Sequence, residues 1–240
     1  MRGIRSVSRT LFPKSDGNAM TELSSIFDMI GPVMIGPSSS HTAGVARIGR
    51  MARKILTQEP CEAVITFYNS FAATYEGHGS DKAVVAGLLD MAPDDPRLKE
   101  SLNLAREKNI RLIFQSVHSA PKYHPNTIRI YARSTDNQIE VLGISRGGGL
   151  ITISEIDGFH ANLSGTERTL IIQADDVKGS IAYLANAVAH DDCNIATLIV
   201  TRKAKHQTAM LIFELDSGLR PLTIEYIKSL SWVKKVNYIE

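Results

Sequence analysis

The order of apolar and polar positions divides the chain into two stretches of different rhythm. In the first, Val45, Ile48, Met51, Ala52, Ile55 and Leu56 recur at the spacing of one helical face, while Arg47, Arg50, Arg53 and Lys54 fall largely off it. That spacing predicts an amphipathic helix with a core-facing stripe. EAVITFY from Glu62 reads as a strand, and SDKAVVAGLLDM from Ser80 as a helix capped by Ser80 with Asp81 in its first turn. A further helix is expected over Arg97 to Lys108. IRLIFQSV from Ile110, TIRIYARS from Thr127, QIEVLGIS from Gln138 and LITISEI from Leu150 are β-rich runs, the middle two joined by a turn at Thr135, Asp136 and Asn137. The first domain, expected over 20–156, is therefore mixed α and β.

The rhythm breaks at DGFHANLSGTER, Asp157 to Arg168, whose turn residues predict an exposed connector over 157–167 between two independently packed domains. Beyond it, RTLIIQA, GSIAYLANAVAHD, NIATLIVTR, TAMLIFEL, RPLTIEYIKSL and WVKKVNYIE read as βαββαβ, the ferredoxin-like order, over 168–240. The fold class is α+β. A module of this length and order resembles an ACT domain, the small ligand-sensing unit attached to many amino-acid enzymes. The first strand ends in Asp175, Asp176 and Gly179, where such domains carry an acid and a glycine, although Lys178 stands where a proline is often found. The resemblance implies effector-binding positions at Asp176, Gly179 and Asn194 and further oligomerisation through this domain.

Composition narrows the partners. The 240 residues are 43% hydrophobic and 22% charged, with a formal net charge of +2 spread along the chain. This is the profile of a globular protein with no basic footprint for nucleic acid and no membrane-binding patch. No run approaches the length of a bilayer span and no hydrophobic signal core follows the start, so a cytoplasmic protein is expected. Residues 1–19 are rich in Arg and Ser and superficially fit a transit peptide. Met20 opens a second start, however, so 1–19 reads as a disordered extension. The two cysteines, Cys61 and Cys193, lie far apart in the sequence and encode neither a disulfide framework nor a local metal site.

The candidate chemistry lies in loops of the first domain. GPSSSHTAG, Gly36 to Gly44, sets Ser38, Ser39, Ser40, His41 and Thr42 just ahead of the amphipathic helix. One hydroxyl is enough to cap a helix. The larger number fits an anion site, in which hydroxyls, free N–H groups and the positive helix end hold a carboxylate or phosphate. GHGSDK places His78 between two glycines ahead of the Ser80 helix, and HPN places His124 in a loop between strands. Each histidine alone could be structural or merely exposed, but three at the ends of regular elements point to proton transfer near neutrality. SRGGGL, Ser145 to Leu150, adds a flexible anion-cradling candidate or a wide turn.

GPSSSHTAG, GHGSDK, HPN and RGGG, in this order and followed by an ACT-like module, resemble the β subunit of the iron-sulfur-dependent L-serine dehydratases over nearly all of Met20 to Glu240. The β domain of that family is similar in turn to the allosteric substrate-binding domain of some phosphoglycerate dehydrogenases. The resemblance implies deamination of L-serine to pyruvate and ammonia. It also implies a 4Fe-4S cluster held mainly by a cysteine-bearing α subunit rather than by this chain. His78 is then the expected base, with His41 and His124 as positioning or relay residues. Ser38, Ser39, Ser40 and Thr42 would hold the substrate carboxylate, and Lys82 and Asn126 would orient it or support the loops. A purely regulatory amino-acid- or anion-sensing subunit is the competing reading.

Overall fold

The structure is a computed structural model and describes residues 33–240. The expected extension over 1–19 and the start of the first domain lie outside the described residues. Helix α1 (Gly44–Leu56) follows a five-residue π-turn, Ser39–Ala43, that Ser38 caps. Strand β1 (Glu62–Tyr68) leads into the short α2 (Ser70–Thr74), then α3 (Ser80–Leu88) and α4 (Ser101–Glu107), and the chain returns as β2 (Arg111–Val117). β1 and β2 are parallel, and α2 to α4 supply the long crossover that parallel pairing requires. Strands β3 (Thr127–Arg133), β4 (Gln138–Gly147), β5 (Leu150–Ile156) and β6 (Phe159–Leu163) extend the sheet antiparallel, in the order β2-β1-β3-β4-β5-β6.

Period-two alternation decides which face of this sheet is covered. Ala63, Ile65 and Phe67 of β1, Ile128, Ile130 and Ala132 of β3, and Ile139 and Val141 of β4 are all at most 1% exposed. They pack in one core with Val45, Ile48, Ala52 and Ile55 of α1 and Val84, Val85 and Leu88 of α3. The two helices cross at bare backbone: a Cβ on Gly87 would collide with the Ala46 carbonyl oxygen, and one on Gly49 with that of Val84. Gly44 meets the Ser145 side chain of β4 in the same way. These close approaches bring the start of α1 down onto the end of the sheet where β1 and β2 finish and β3 begins.

The remaining chain runs β7 (Arg168–Asp175), α5 (Ser180–Ala189), β8 (Ile195–Arg202), β9 (Thr208–Leu215), α6 (Pro221–Ser229) and β10 (Val233–Ile239), the predicted βαββαβ. Its strands lie in the order β10-β7-β9-β8 with every neighbouring pair antiparallel. Leu170, Ile172, Leu211 and Phe213 face α5 and α6 with Leu184, Val188 and Ile227. The other face is buried as well, for Ile171, Met210, Ile212 and Ile239 belong to the same core as Ile55, Ile156 and Phe159.

Two expectations are corrected here. The connector over 157–167 contains β6, whose Phe159, Ala161 and Leu163 are buried, so only Ser164 to Glu167 join the sheets. Independent packing also gives way to a shared core. Asn237 donates to the Ile55 carbonyl, Lys235 Nζ to Asn137 Oδ1 at 2.8 Å, and Gln173 Nε2 to Asp157 Oδ2 at 3.1 Å. Among the described residues, no helix is long and apolar enough to cross a membrane.

Candidate active site

The loops carrying the three histidines meet at one end of the six-stranded sheet. Ser38 accepts from the His41 N–H at 3.1 Å, which is the capping role that one hydroxyl suffices for. Ser40 Oγ lies 2.9 Å from His41 Nδ1 and 3.3 Å from Ser38 Oγ, so the serines fix the His41 ring. The N–H groups of Ser39 and Ser40 fall in the first turn, where such groups lack an intrahelical acceptor and suit an anion. Thr42 is not: it is buried, and its hydroxyl donates to the His78 carbonyl at 3.1 Å. Of the four hydroxyls expected to hold a carboxylate, Thr42 therefore ties two loops together and Ser38 caps.

Ser80 is corrected in a similar way. Helix α3 starts from Gly79 in the left-handed region, φ 66°, without a side-chain cap, and the fully buried Ser80 hydroxyl donates to the His41 carbonyl at 2.7 Å. These two bonds clamp the loop of His41 to that of His78. The rings stand 4.8 Å apart at their centroids, tilted by 33°, and the edge of Phe71 from α2 completes the packing at 4.8 Å from His41.

The hydrogen-bond partners define what each ring can do. His78 Nδ1 lies 3.2 Å from the Thr74 carbonyl. A carbonyl only accepts, so Nδ1 carries the hydrogen and the lone pair of the neutral ring is at Nε2. His124 is wired the opposite way: its Nδ1 accepts from the Asn126 N–H at 3.1 Å, which leaves the hydrogen on Nε2. Among the described residues, His41 Nε2 is buried with no hydrogen-bond partner. Ser145 Oγ and Asp81 Oδ1, on elements that meet the same loops, are also buried and unpaired. Arg129 Nε of β3 shares this state; such groups are uncommon in folded proteins, and three of the four fall at these loops.

His78 and Thr42 line a cavity of about 280 Å³ with Gly36, Glu76, Gly79 and Lys82. Lys82 is exposed at its edge, with the ammonium available to a carboxylate. Asn126 is held through its backbone, accepting from the Ser145 N–H at 3.0 Å, and so joins the His124 loop to β4. The glycine triplet closes the turn after β4, with φ of 91°, 59° and 80° at Gly147, Gly148 and Gly149, and Arg47 of α1 donates to the Gly149 carbonyl at 2.8 Å. Phe71, Thr74 and Ser145 were not singled out from sequence. Only Ser145 lay in a motif, at the edge of SRGGGL.

Burial, followed by the neighbouring His78, lowers the pKa of His41 from the ordinary 6.5. Burial, followed by Arg146, does the same for His124. Both rings take up protons less readily folded than unfolded. Stability is therefore expected to be at its full value above about pH 6.5 and to fall as pH drops through that value toward the folded-state pKa values. Urea unfolding at about pH 7.5 and about pH 5.5 checks the sign. The midpoint should be lower in acid, and the drop smaller in His41→Gln; a higher midpoint in acid would contradict it.

The expected effector residues are not assembled in one place. Asp176 accepts from Arg202 Nη1 at 2.7 Å and from the His206 N–H at 3.2 Å, contacts that hold its carboxyl below the usual range, and Gly179 opens α5 with φ 82°. Asn194 sits at the other end of the strands, before Ile195 pairs with Leu215, and donates to Asp216 Oδ2 at 2.7 Å. Asp176 follows Asp175, which pairs with Thr208 at the far end of β9. A larger cleft of about 1050 Å³ opens between the two sheets, lined by Asp157, Lys203 and Lys235 among others and by none of the three site histidines.

A 4Fe-4S cluster does not fit the donors of this chain. Cys61 lies before β1, with Sγ 3.2 Å from the Arg133 carbonyl, and Cys193 lies in the other sheet's loops, 3.3 Å from the Ser217 carbonyl. Among the described residues, no three metal-binding side chains converge.

A family model described as "Serine dehydratase beta chain" matches residues 25–155. The chain is 42% identical over 215 residues to "Probable L-serine dehydratase, beta chain" of Bacillus subtilis, covering 90% of this chain and 97% of that protein. It is 35% identical over 211 residues to "L-serine dehydratase, beta chain" of Peptoniphilus asaccharolyticus, covering 88% and 93%. The "D-3-phosphoglycerate dehydrogenase" of Bacillus subtilis is 24% identical over 200 residues, which cover 81% of this chain and 37% of that protein.

Proposed function

The chain belongs to the serine dehydratase beta-chain family, and on that premise we propose that it is the β subunit of a two-chain L-serine dehydratase, supplying substrate-binding and acid/base groups. The reaction removes a proton from Cα and hydroxide from Cβ of L-serine. The resulting enamine tautomerises to an imine, and water hydrolyses that to pyruvate and ammonia. Removal of the weakly acidic α-proton needs a base poised near neutrality, and His78 carries a lone pair at Nε2 beside a small cavity. The N–H groups and hydroxyls at Ser39 and Ser40, with the Lys82 ammonium, suit the substrate carboxylate. The observation that carries this reading is the buried, unpartnered His41 Nε2 packed on the His78 ring.

The 4Fe-4S cluster would be held by a cysteine-bearing α subunit, since Cys61 and Cys193 lie at different sheets of this chain and cannot gather around it. The ACT-like unit is proposed to extend the assembly and to sense an effector. The purely regulatory reading keeps the support of the βαββαβ unit and of the similarity to a dehydrogenase over most of this chain. Anaerobic reconstitution tests the proposal: pyruvate should form from L-serine only when this chain and the cysteine-bearing chain are combined. Full turnover by the partner alone would reduce this chain to a regulator.

A further inference from the structure

Asn69 stands at the turn from β1 into α2 with φ 52° and ψ −116°. That backbone is strained for a residue with a side chain and free for glycine. The strain accompanies a side chain whose bonding groups are all engaged. Nδ2 donates to the Ala120 carbonyl at 3.0 Å and to the Tyr123 carbonyl at 3.1 Å, and Oδ1 accepts from the Ala120 N–H at 2.8 Å. All three bonds reach the loop that carries His124, in which Ala120 alone among residues 118–126 is buried. Beyond Ala120, Tyr123 packs its ring on Tyr68 at 4.7 Å between centroids, so the Asn69 bonds and this one aromatic contact hold the loop.

The two residues after Asn69 extend the attachment. The Ser70 N–H donates to the Pro125 carbonyl at 3.1 Å, and the Phe71 N–H reaches the same oxygen at 3.5 Å. Phe71 also places its ring against His41. The positive-φ turn at Asn69 aims both N–H groups at Pro125 and the Phe71 ring at His41.

We propose that Asn69 is a positioning residue of the candidate active site, its side chain setting the His124 loop while its backbone turn seats Phe71 against His41. One residue thereby fixes two of the three histidines relative to each other. The proposal rests on the reading of His124 as a participant in the reaction.

Asn69→Gly separates the two roles, since glycine keeps the turn without strain and removes the tether. The imidazole of His124, followed by NMR in the full chain, should lose its burial and titrate closer to the ordinary 6.5. In the assembled enzyme kcat should fall by roughly 10-fold or more, with KM less affected and the melting temperature close to that of the wild type. Asn69→Asp, which sets a carboxylate against the Ala120 and Tyr123 carbonyls, should act in the same direction. An unchanged His124 titration with unchanged kcat would overturn the proposal. So would a fall in kcat that tracks a large loss of melting temperature, because Asn69 would then be only a tether of the fold. His124→Ala, assayed alongside, keeps the two readings apart: a silent His124→Ala removes His124 from the reaction, while the NMR shift in Asn69→Gly still reports on positioning.

Discussion

Replacing His78 by alanine is expected to lower kcat of the assembled two-chain enzyme by roughly 100-fold or more, the usual contribution of a positioned general acid-base group. His78 is the only one of the three histidines that both lines the small cavity and carries its lone pair at Nε2, because the Thr74 carbonyl fixes the hydrogen on Nδ1. Thr42 holds the His78 backbone, whereas the ring is held by the Thr74 carbonyl and the His41 ring, so truncation removes the proton acceptor and leaves the clamp between the loops in place. Iron content and subunit assembly should stay at wild-type values, which separates a lost base from a lost interface. If the regulatory reading is correct, the same substitution leaves turnover nearly intact. Near-wild-type kcat in His78→Ala, with His41→Ala and His124→Ala equally silent, would sink the catalytic assignment.

The loops that converge on this site were legible from their residue types, whereas the bonds that join them were not. Glycine-flanked His78 and the serine run before α1 marked both loops, but the sequence does not show that Thr42 donates to His78 across 36 positions or that Ser80 reaches back to His41. Ser80 was expected to cap α3. A left-handed Gly79 already turns the chain there, which frees the hydroxyl for a tertiary bond. Asn69 left no trace at all, since a lone Asn before a short apolar helix carries no periodicity.

The strands followed period two closely enough to be placed, with one omission that is instructive. FHANL of β6 alternates buried and exposed as any edge strand does, but Asp157, Gly158, Ser164 and Gly165 on either side gave the segment the composition of a linker. The shared core also had a signal. LII of β7 and AMLIF of β9 are continuous apolar runs rather than alternating ones, as expected for strands buried on both faces.

That double burial leads to the second large effect, the loss of the fold's stability when the chain is ended at Glu167. Such a chain keeps β6 and every residue of the six-stranded sheet, yet it strips the cover from Ile55, Ile156 and Phe159, which pack in one core with Ile171, Met210, Ile212 and Ile239. A large apolar side chain contributes about 1.5–3 kcal/mol when fully buried, so the exposed face would cost on the order of 5 kcal/mol. That is comparable with the whole net stability of a domain, about 5–15 kcal/mol. At about 2–4 °C per kcal/mol for a chain of this size, the melting temperature should fall by roughly 10–20 °C or the protein should aggregate. Ending the chain at Gly158 should be worse still, because β6 and its buried Phe159, Ala161 and Leu163 go as well. The full chain should melt in a single transition. A monodisperse 1–167 chain with the melting temperature of the full protein would show that the two sheets are independent after all, and that the contacts of Asn237, Lys235 and Gln173 across the junction contribute little.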